Sequence, residues 1–421
     1  MNTYLFALVD GGGTVPPELA VARLLHERGH RVVVLAEDSM RADVDATGAT
    51  FRPWTHATNR ASRLPEDDPY RDWECTNPLQ MFALLLDLQF VGPAPAYAQD
   101  TATAIAEIEP DLVVCSMFAM GAMAAAEAAG LPFDVLLPNI YLLPATGQPP
   151  IGLGLKPARG PLGRLRDTTI NAVVGRQWAK GVEGINALRT SLGLAPVDAF
   201  FDHIRGARRH LVLTSPEFDF TTEPPANVRY VGAVLDDPAW AATEPWSAPD
   251  GDDPLVLVSL SSTFQDQAAT LQRIVDGLAT LPVRAVVTTG PALDPATITA
   301  PDNVTVVAAA PHSQILTQAA AVITHGGHGT VVRALAAGVP LVILPHGRDQ
   351  ADNAVRVTTR GAGVMLARKA APKKIAAAVQ KVVTGDAYRA SAGRLGASIR
   401  RDAAGDALIG ELEDLPQVVG S

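Results

Sequence analysis

Short apolar runs alternate along the first half of the chain with longer amphipathic stretches. The short runs have the length and β-branched content of buried strands, and the stretches between them carry apolar residues at helical spacing. The predicted strands are residues 4–9, 31–36, 111–115 and 133–137, and the predicted helices are residues 17–28, 38–47, 101–107 and 120–129. This alternation predicts a parallel, doubly wound sheet with helices on both faces.

Two irregular stretches interrupt this pattern. Residues 52–77 are rich in Arg, Asp and Pro and predict a long loop, which is followed by an apolar helix at 78–90. Residues 144–163 are rich in Pro and Gly and predict a crossing between elements. Helices over 164–192 and strands at 210–214 and 228–231 are predicted after it. A loop as long as residues 52–77 in a compact domain is usually functional.

The second half repeats the alternation after a linker. The predicted strands are residues 255–260, 284–288, 304–307, 319–324 and 341–344, and the predicted helices are residues 267–278, 331–337, 373–384 and 387–412. Residues 236–253 have the Pro, Asp and Gly content of a linker. We therefore predict an N-terminal domain over 1–235, a second domain over 254–385, and a C-terminal helix within 386–421 that packs back on the first domain.

Composition narrows the class of protein. Hydrophobic residues at 48% and charged residues at 19% indicate a globular chain, and its 421 residues suit two domains. A net charge of −10 gives no electrostatic basis for binding nucleic acid. Residues 1–10 lack a basic leader, and the longest apolar run, 112–126, is too short to span a bilayer. With only two cysteines, Cys75 and Cys115, the sequence predicts a cytoplasmic protein without a membrane span.

A glycine-rich turn follows the predicted strand at 319–324. The turn consists of His325, Gly326, Gly327, His328, Gly329 and Thr330, and the helix at 331–337 begins directly after it. Bare backbone N–H groups and the positive end of a helix dipole suit a phosphate. His325 and Thr330 add side-chain donors. A turn of this kind can also serve close packing alone.

The loop after the next strand carries polar side chains. Pro345 leads into His346, Arg348, Asp349 and Gln350. Successive βα loops open on the same edge of a parallel sheet, so Asp349 and Gln350 are expected near the phosphate turn. A carboxylate beside an amide suits sugar hydroxyls, although in a loop the pair can also be simply solvated.

In these segments the chain resembles family 1 glycosyltransferases, particularly the bacterial branch that acts on polyketides, macrolides and other small aglycones. The family signature is His-x-Gly-x-x-Ser/Thr, then Ala-Leu, Gly-x-Pro, a Pro, and Asp-Gln before Asn, and residues 325–353 contain all of it. The resemblance covers nearly the whole chain. It implies a GT-B fold, two Rossmann-like doubly wound domains facing across a cleft. It also implies an inverting, metal-independent transferase with no cofactor, a UDP- or dTDP-sugar donor and a small hydrophobic acceptor.

The resemblance assigns donor residues one by one. His325, Gly327, Gly329 and Thr330 would hold the diphosphate, and Asp349 and Gln350 the sugar hydroxyls. Asn353 is a weaker correspondence, since a polar residue there can simply cap the next helix.

Further positions on the donor side either admit two roles or depart from the family pattern. Ser262 and Thr263 either face the diphosphate or cap the following helix. Many relatives stack a Trp on the base. This chain has Ala-Ala-Pro-His at the matching residues 309–312, so backbone groups near Ala310 and His312 would recognise the base. Arg333 stands where plant relatives have a ribose-binding Glu. This departure weakens the case for UDP and leaves a dTDP sugar plausible, unless Arg333 is only a solvated helix residue.

The acceptor side lacks the family's catalytic pair. Thr14 occupies the position of the general-base His, and Ser116 that of the carboxylate which orients it. A Thr hydroxyl is too weakly basic to replace His. Asp10 is the nearest substitute, or else it only accepts amide bonds from the turn Gly11 to Gly13. Without a base, an acidic phenol or an activated carbon remains a credible nucleophile, so the linkage can be O- or C-glycosidic.

Apolar residues of the irregular segments are the candidates for acceptor binding. They are Trp54, Met81, Phe82, Phe90, Met117, Phe118 and Met120, with Ser116, Asn139 and Tyr141 beside them. An aromatic and Met lining suits a lipophilic aglycone, while the same residues are also typical of a core. Asp43 and Asp45 form an Asp-x-Asp pair in a predicted helix, where surface charge explains them better than metal binding.

Two other function classes compete with the transferase. Gly11 to Gly13, followed by Glu37 or Asp38 at the end of the second strand, loosely resembles an NAD(P)-binding turn, but Pro16 replaces the third glycine. The absence of the family's catalytic His and its carboxylate also permits a non-catalytic nucleotide-sugar binder or accessory protein.

Overall fold

The strands lie in two parallel sheets. The computed structural model describes residues 1–238, 241 and 246–415. The strands are β1 Thr3–Ala7, β2 Arg31–Ala36, β3 Thr50–Pro53, β4 Leu112–Ser116, β5 Phe133–Leu137, β6 Arg209–Val212, β7 Val228–Tyr230, β8 Leu255–Ser259, β9 Arg284–Thr288, β10 Val304–Val307, β11 Ala319–Thr324, β12 Leu341–Ile343 and β13 Gly363–Met365. The first sheet has the order β3-β2-β1-β4-β5-β6-β7 and the second β10-β9-β8-β11-β12-β13.

Helices cover both faces of each sheet. They are α1 Val15–Glu27, α2 Arg41–Asp45, α3 Pro78–Leu85, α4 Ala94–Ile108, α5 Met120–Ala128, α6 Gly160–Trp178, α7 Val182–Ser191, α8 Phe200–Arg205, α9 Ala268–Leu278, α10 His312–Leu316, α11 His328–Ala336, α12 Gln350–Thr359, α13 Pro372–Thr384, α14 Asp386–Ala403 and α15 Ala407–Glu413. Short 3-10 turns lie at Asp38–Met40, Asp72–Glu74, Ala179–Gly181 and Pro295–Thr297, and a π-helical turn at Leu86–Phe90.

The strand order explains where a ligand can bind. In each sheet the chain reverses its direction of winding beside the first strand, between β1 and β4 and between β8 and β11. Crevices at the carboxyl ends of parallel strands form at such points. The predicted α/β class with two Rossmann-like domains is confirmed.

Several elements differ from the sequence prediction. Strand β3 pairs with β2 where a loop was expected from residue 52, because the apolar signal of this edge strand is short. The predicted helix 387–412 breaks into α14 and α15 around Gly405. The edge strand β13 and the short helices α8 and α10 lack clear periodicity and were not predicted.

The two C-terminal helices pack on different domains. Helix α14 lies against α11 of the second domain, whereas α15 lies against α1 of the first. Leu408, Ile409 and Leu412 of α15 are buried in the first domain's core, and Glu413 pairs with Arg28 at 2.8 Å. The chain therefore returns to the first domain at the end of α14, where Asp402 accepts from Ser215 at 2.5 Å, and α15 packs into that domain's core.

One described stretch has the length and apolar composition of a membrane-crossing helix. It is Leu79–Ile108, and not the run at 112–126, which forms β4 and α5. A turn at residues 91–93 interrupts the stretch, and α4 packs its buried face against α5 and β1. Core helices of globular proteins have the same composition, so the absence of a membrane span stays a prediction.

A fully buried ion pair joins the two domains. Arg356 of α12 donates to Asp219 of the first domain at 2.7 and 3.0 Å, and neither side chain is exposed to solvent. Asp219 also accepts from the Tyr141 amide and the Tyr230 hydroxyl. Burial alone would raise the pKa of Asp219, but Arg356 and these hydrogen bonds lower it below its usual value. The pair fixes the relative position of the domains.

We expect Asp219→Asn to destabilise the protein by about 3–5 kcal/mol, because it leaves the buried Arg356 charge uncompensated. The measurement is the midpoint of urea-induced unfolding. Glu74→Gln is the matched control, since the Arg71–Glu74 pair is about half exposed (46% and 58%) and exposed pairs contribute about 0–1 kcal/mol. Equal midpoints for the two variants would contradict this role.

Candidate functional site

A cleft between the carboxyl edges of the two sheets gathers the predicted donor residues. The residues lining it include Ser262, Thr263, Ala310, His312, His325, Gly327, Gly329, Thr330, Asp349 and Gln350. Thr14 and Asn139 line it from the first domain. Asp10 is not among the lining residues. One cleft thus brings together these ten predicted donor residues, whereas Asn353 does not line it.

The turn after β11 has the backbone geometry of an anion site. Gly326 has a φ of 103°, and a Cβ there would meet the Gln350 carbonyl oxygen at 2.8 Å, so the position requires glycine. Helix α11 begins at His328, earlier than the predicted 331, and no side chain caps it. The amides of His328, Gly329 and Thr330 therefore lie in the first helical turn, where N–H groups have no intrahelical partner.

His325 lies over this turn as a neutral imidazole. Its ring is so close to Gly327 that a Cβ there would meet the ring at 2.8 Å. Burial, together with nearby His346 and Arg348, lowers the pKa of His325 to about 3. A neutral imidazole still offers one N–H donor. His325 can thus donate to an anion across the neutral pH range without carrying charge in the unliganded protein.

Asp349 is held at the interface of the domains. Its Oδ2 accepts from Asn139 of the first domain and from Asn353, both at 2.7 Å. Asn353 also donates to the Gly326 carbonyl at 3.0 Å, from within α12, so it connects the turn to Asp349 and does not cap a helix. The carboxylate that was predicted to bind sugar hydroxyls therefore faces both domains.

Gln350 has its side-chain oxygen already engaged. The oxygen accepts from the amides of His346 and Gly347 at 2.6 and 3.2 Å, and its amide lies 2.9 Å from that of Gln265. The side chain is 1% exposed. In this state Gln350 shapes the loop that carries Asp349.

Arg348 is a site residue that was not assigned from the sequence. Its φ of 53° is uncommon for a residue with a Cβ and points to a locally constrained loop. The guanidinium pairs with Asp72 of the first domain at 2.7 Å and donates to the Thr263 hydroxyl at 3.2 Å. Arg348 lay within the motif, but its partner lies far away in the long loop, so only the fold reveals the contact.

The serine and threonine after β8 do not cap the next helix. Helix α9 begins at Ala268 after the uncapped Gln267, well beyond Ser262 and Thr263. Thr263 instead contacts the Ser261 hydroxyl at 3.1 Å and accepts from Arg348. The capping alternative is therefore wrong, and both residues face the cleft.

The far wall of the cleft carries His312 and Arg333. The His312 ring contacts the Thr288 hydroxyl at 3.1 Å, and burial lowers its pKa to about 4. Arg333 donates to the Gly329 carbonyl and pairs with Asp237 of the interdomain segment at 3.3 Å. It is therefore a cleft residue with fixed partners and not a freely solvated one.

Asp10 is unsuited to the role of general base. It is 6% exposed, and its oxygens accept from Arg63 at 2.7 Å and from the Gly12 amide at 2.9 Å. Burial would raise the pKa of Asp10, but Arg63 and Arg60 outweigh it and lower the pKa below its usual value. The structure thus contradicts our candidate and supports the alternative that Asp10 organises the glycine turn.

The NAD(P)-binding alternative is wrong on steric and electrostatic grounds. A Cβ on Gly12 would meet the Thr263 methyl at 2.3 Å, so the second domain covers the turn where a pyrophosphate would lie. Glu37 does not offer a free carboxylate to a ribose, because it accepts from Arg60 and from the Asp10 amide.

The predicted acceptor residues divide into three groups. Phe118 and Phe82 are half-buried, Phe118 lies beside Gly11, and Asn139 lines the cleft. Trp54 and Tyr141 are corrections, because they are 1% and 0% exposed and bond to the Leu8 carbonyl and His210. Phe90, Met117, Met120 and Ser116 are corrections too, because they are buried and do not line the cleft. Met81 is half-buried on α3 and does not line the cleft either.

A second cavity of about 420 Å³ adjoins the cleft beside α1 and α2. Its arginines are already paired, Arg23 with Glu27 and Asp236, and Arg63 with Asp10 and Asp43. It therefore offers less uncompensated positive potential to a diphosphate than the turn at 325–330 does. Asp43 and Asp45 belong to α2, and no group of three potential metal ligands occurs among the described residues.

Comparison with known proteins agrees with this geometry. Residues 272–415 match the family model described as erythromycin biosynthesis protein CIII-like, C-terminal domain. The chain is 30% identical over 403 residues to 4'-demethylrebeccamycin synthase of Lentzea aerocolonigenes, covering 93% of this chain and 94% of that protein. It is 30% identical over 377 residues to the oleandomycin glycosyltransferase of Streptomyces antibioticus, covering 87% and 78%.

The fold has close counterparts among solved structures. The calicheamicin glycosyltransferase CalG4 superposes with a TM-score of 0.77 at 24% identity, and the match covers 100% of both chains. At this identity the match shows the fold alone, which is the GT-B arrangement of two facing domains.

We expect Gly329→Ala to weaken the binding of dTDP and UDP about tenfold. Crowding by an added methyl group costs about 1–3 kcal/mol, a range that includes the free energy of a tenfold change in affinity. A Cβ at Gly329 would have only Arg333 nearby, at 3.9 Å, and so would project into the cleft. Isothermal titration calorimetry measures the change. Gly393→Ala, in α14 with open space around its Cβ, is the control. Unchanged affinity in Gly329→Ala would place the diphosphate elsewhere.

Proposed function

The chain belongs to the family 1 glycosyltransferases of the bacterial natural-product branch, and from that premise we propose that it transfers a sugar from a nucleoside diphosphate to a small hydrophobic acceptor. The proposal includes inversion at the anomeric carbon and no requirement for a metal ion. One observation carries it: the uncapped start of α11 shares a cleft with Asp349, whose carboxylate can accept from sugar hydroxyls.

The donor diphosphate would lie on the turn at 325–330. Catalysis of this transfer requires stabilisation of the departing diphosphate, which gains negative charge as the glycosidic bond breaks. The first-turn amides of α11, His325 and Arg348 supply the donors. Because the protein holds these groups in place before the reaction, little reorganisation is needed.

We propose dTDP as the preferred nucleotide. Arg333 occupies the place of a ribose-binding carboxylate and is held there by Asp237. A guanidinium cannot accept a hydrogen bond from a ribose 2'-hydroxyl. A deoxyribose has no 2'-hydroxyl and so loses no hydrogen bond at such a site, whereas a ribose leaves its 2'-hydroxyl without an acceptor.

The acceptor would enter from the side of the first domain. Phe118 stands half-buried beside Gly11, next to Thr14, so an aromatic wall meets the position of the nucleophile. This favours a flat, lipophilic aglycone such as a phenolic or polyketide, with the linkage to oxygen or carbon open. Two free cysteines agree with a reducing, cytoplasmic compartment.

A screen of dTDP- and UDP-sugars against phenolic and polyketide acceptors tests the proposal. Mass spectrometry should detect a glycosylated product, and NMR should show the inverted anomer. Activity should persist in EDTA, and dTDP-sugars should give the higher kcat/KM. Donor binding without any product would favour a non-catalytic nucleotide-sugar binder, for which the missing family pair is the one supporting observation.

We expect His325→Ala to lower kcat about 10²–10³-fold, as is usual when one donor to a developing anion is removed. The affinity for the nucleotide should fall less, because the helix amides remain. His26→Ala is the control, since His26 is exposed on α1 away from the cleft. Steady-state kinetics with saturating acceptor measures both values. Full activity in His325→Ala would remove this residue from leaving-group stabilisation.

A further inference from the structure

Three buried polar groups without partners lie behind the acceptor side of the cleft. They are the Thr14 hydroxyl, both carboxyl oxygens of Glu18 and the Ser116 hydroxyl, and none has a hydrogen-bond partner in the described part of the chain. Glu18 is 0% exposed and Ser116 is 1% exposed. Buried polar groups are almost always hydrogen-bonded. Three exceptions on neighbouring elements therefore require an explanation.

Glu18 occupies a position that packing alone would assign to an apolar residue. Val15, Leu19, Ala22 and Leu25 of α1 face the core of the first domain, and Glu18 lies on the same buried face. A carboxyl group there costs desolvation and gains no ion pair from residues 1–238, 241 or 246–415. Such departures from local packing rules are expected where a residue serves function.

The three groups lie close together behind the cleft: Thr14 and Glu18 are one helical turn apart on α1, where the Glu18 amide donates to the Thr14 carbonyl at 3.3 Å. Thr14 lines the cleft at the start of α1, where a Cβ on Gly11 would meet its hydroxyl oxygen at 2.8 Å. Helical side chains lean toward the N-terminus, so the Glu18 carboxyl lies over the turn that begins at Thr14. Ser116, at the carboxyl end of β4, is near enough to bear on the ionisation of Glu18 without reaching hydrogen-bond geometry.

The surroundings of Glu18 and Asp10 shift the pKa values of these two carboxyl groups in opposite directions. Burial raises the pKa of Glu18 well above its ordinary value; the Ser116 hydroxyl opposes this, and the Asp10 carboxylate adds to it. Asp10 itself is compensated by Arg63 and Arg60 and has a lowered pKa. Asp10 therefore stays anionic, while Glu18 can hold a proton. Carboxyl groups whose environments push their pKa values apart are typical of acid–base pairs.

We propose that Glu18 is the terminal proton acceptor of the transfer reaction and that the Thr14 hydroxyl relays the proton to it from the acceptor. The inference rests on the proposed function and supplies the base that the missing His–carboxylate pair leaves open. The acceptor's nucleophilic atom bonds to the anomeric carbon as the bond from that carbon to the diphosphate oxygen breaks. The diphosphate keeps the electron pair. The acceptor proton passes to Thr14 as the Thr14 proton passes to Glu18, and Ser116 orients the carboxylate.

The kinetic test uses Glu18→Gln, which keeps the shape and removes the acidity. With a neutral hydroxyl acceptor, kcat should fall about 10²–10⁴-fold. The dissociation constant for dTDP should stay unchanged, and the rise of kcat with pH should disappear. Thr14→Val should give the same loss of kcat. Thr101→Val is the matched control, because Thr101 is another buried, unpartnered hydroxyl, far from the cleft on α4, and should keep full activity.

A stability measurement tests the ionisation of Glu18 without any substrate. Because burial raises its pKa, the stability associated with the protonated carboxyl is complete at acid pH and is lost as the pH rises through the folded-state value. Glutamine does not ionise. Glu18→Gln should therefore match the wild type in acid and exceed its melting temperature increasingly at alkaline pH.

The outcomes separate this inference from the proposed function. An active wild type with unchanged kcat and pH profile in either Glu18→Gln or Thr14→Val overturns the relay. A Glu18→Gln protein that is less stable than wild type at every pH overturns it as well, since the carboxyl then serves packing only. A wild type that yields no product with any donor and acceptor overturns the proposed function, and the melting series still decides whether Glu18 ionises.

Discussion

The carboxyl ends of the two parallel sheets oppose each other across one cleft, and this opposition decides which groups can meet there. Each sheet exposes its functional loops at that edge, and neither edge has a complete set of groups. The buried Arg356–Asp219 pair, the Arg348–Asp72 pair and the Asn139–Asp349 hydrogen bond all cross between the domains. They hold the two edges close enough for a donor on one wall to meet an acceptor on the other.

The two walls contribute opposite electrostatic properties. The second domain offers backbone amides at the start of α11, a neutral His325 and the Arg348 guanidinium, all of which suit a diphosphate. The first domain offers apolar rings and, behind Thr14, the unpartnered carboxyl of Glu18. In the mechanism that we propose, leaving-group stabilisation and proton removal therefore belong to different domains. Domain closure would complete the site, as in other enzymes whose catalytic groups lie on separate bodies.

Local sequence was sufficient to place the donor candidates at one cleft, because they follow the carboxyl ends of strands in the same parallel sheet. The lining of the cleft includes all ten predicted donor residues. Sequence was insufficient where a side chain's role depends on a distant partner. Asp10 was a plausible base until the fold placed Arg60 and Arg63 from the long loop against it. Trp54 and Tyr141 were plausible acceptor contacts, and the core enclosed both.

Glu18 was not singled out from the sequence, although a signal was present. The apolar positions of α1 fix the buried face of the helix, and Glu18 falls on that face. The same pattern could not reveal that Thr14 and Ser116 would also lack partners, since β4 lies some hundred residues further along the chain. The existence of β3 and the break between α14 and α15 likewise depend on tertiary packing, because the sequence has weak periodicity at both places.

The turn at 325–330 is the proposed binding site for the diphosphate of the donor, and a crystal structure of the protein with a dTDP-sugar would show whether it is. Phosphate oxygens are expected about 3 Å from the first-turn amides of α11, with sugar hydroxyls on Asp349. Density for the diphosphate at the Gly11–Gly13 turn or in the cavity beside α2 would contradict it.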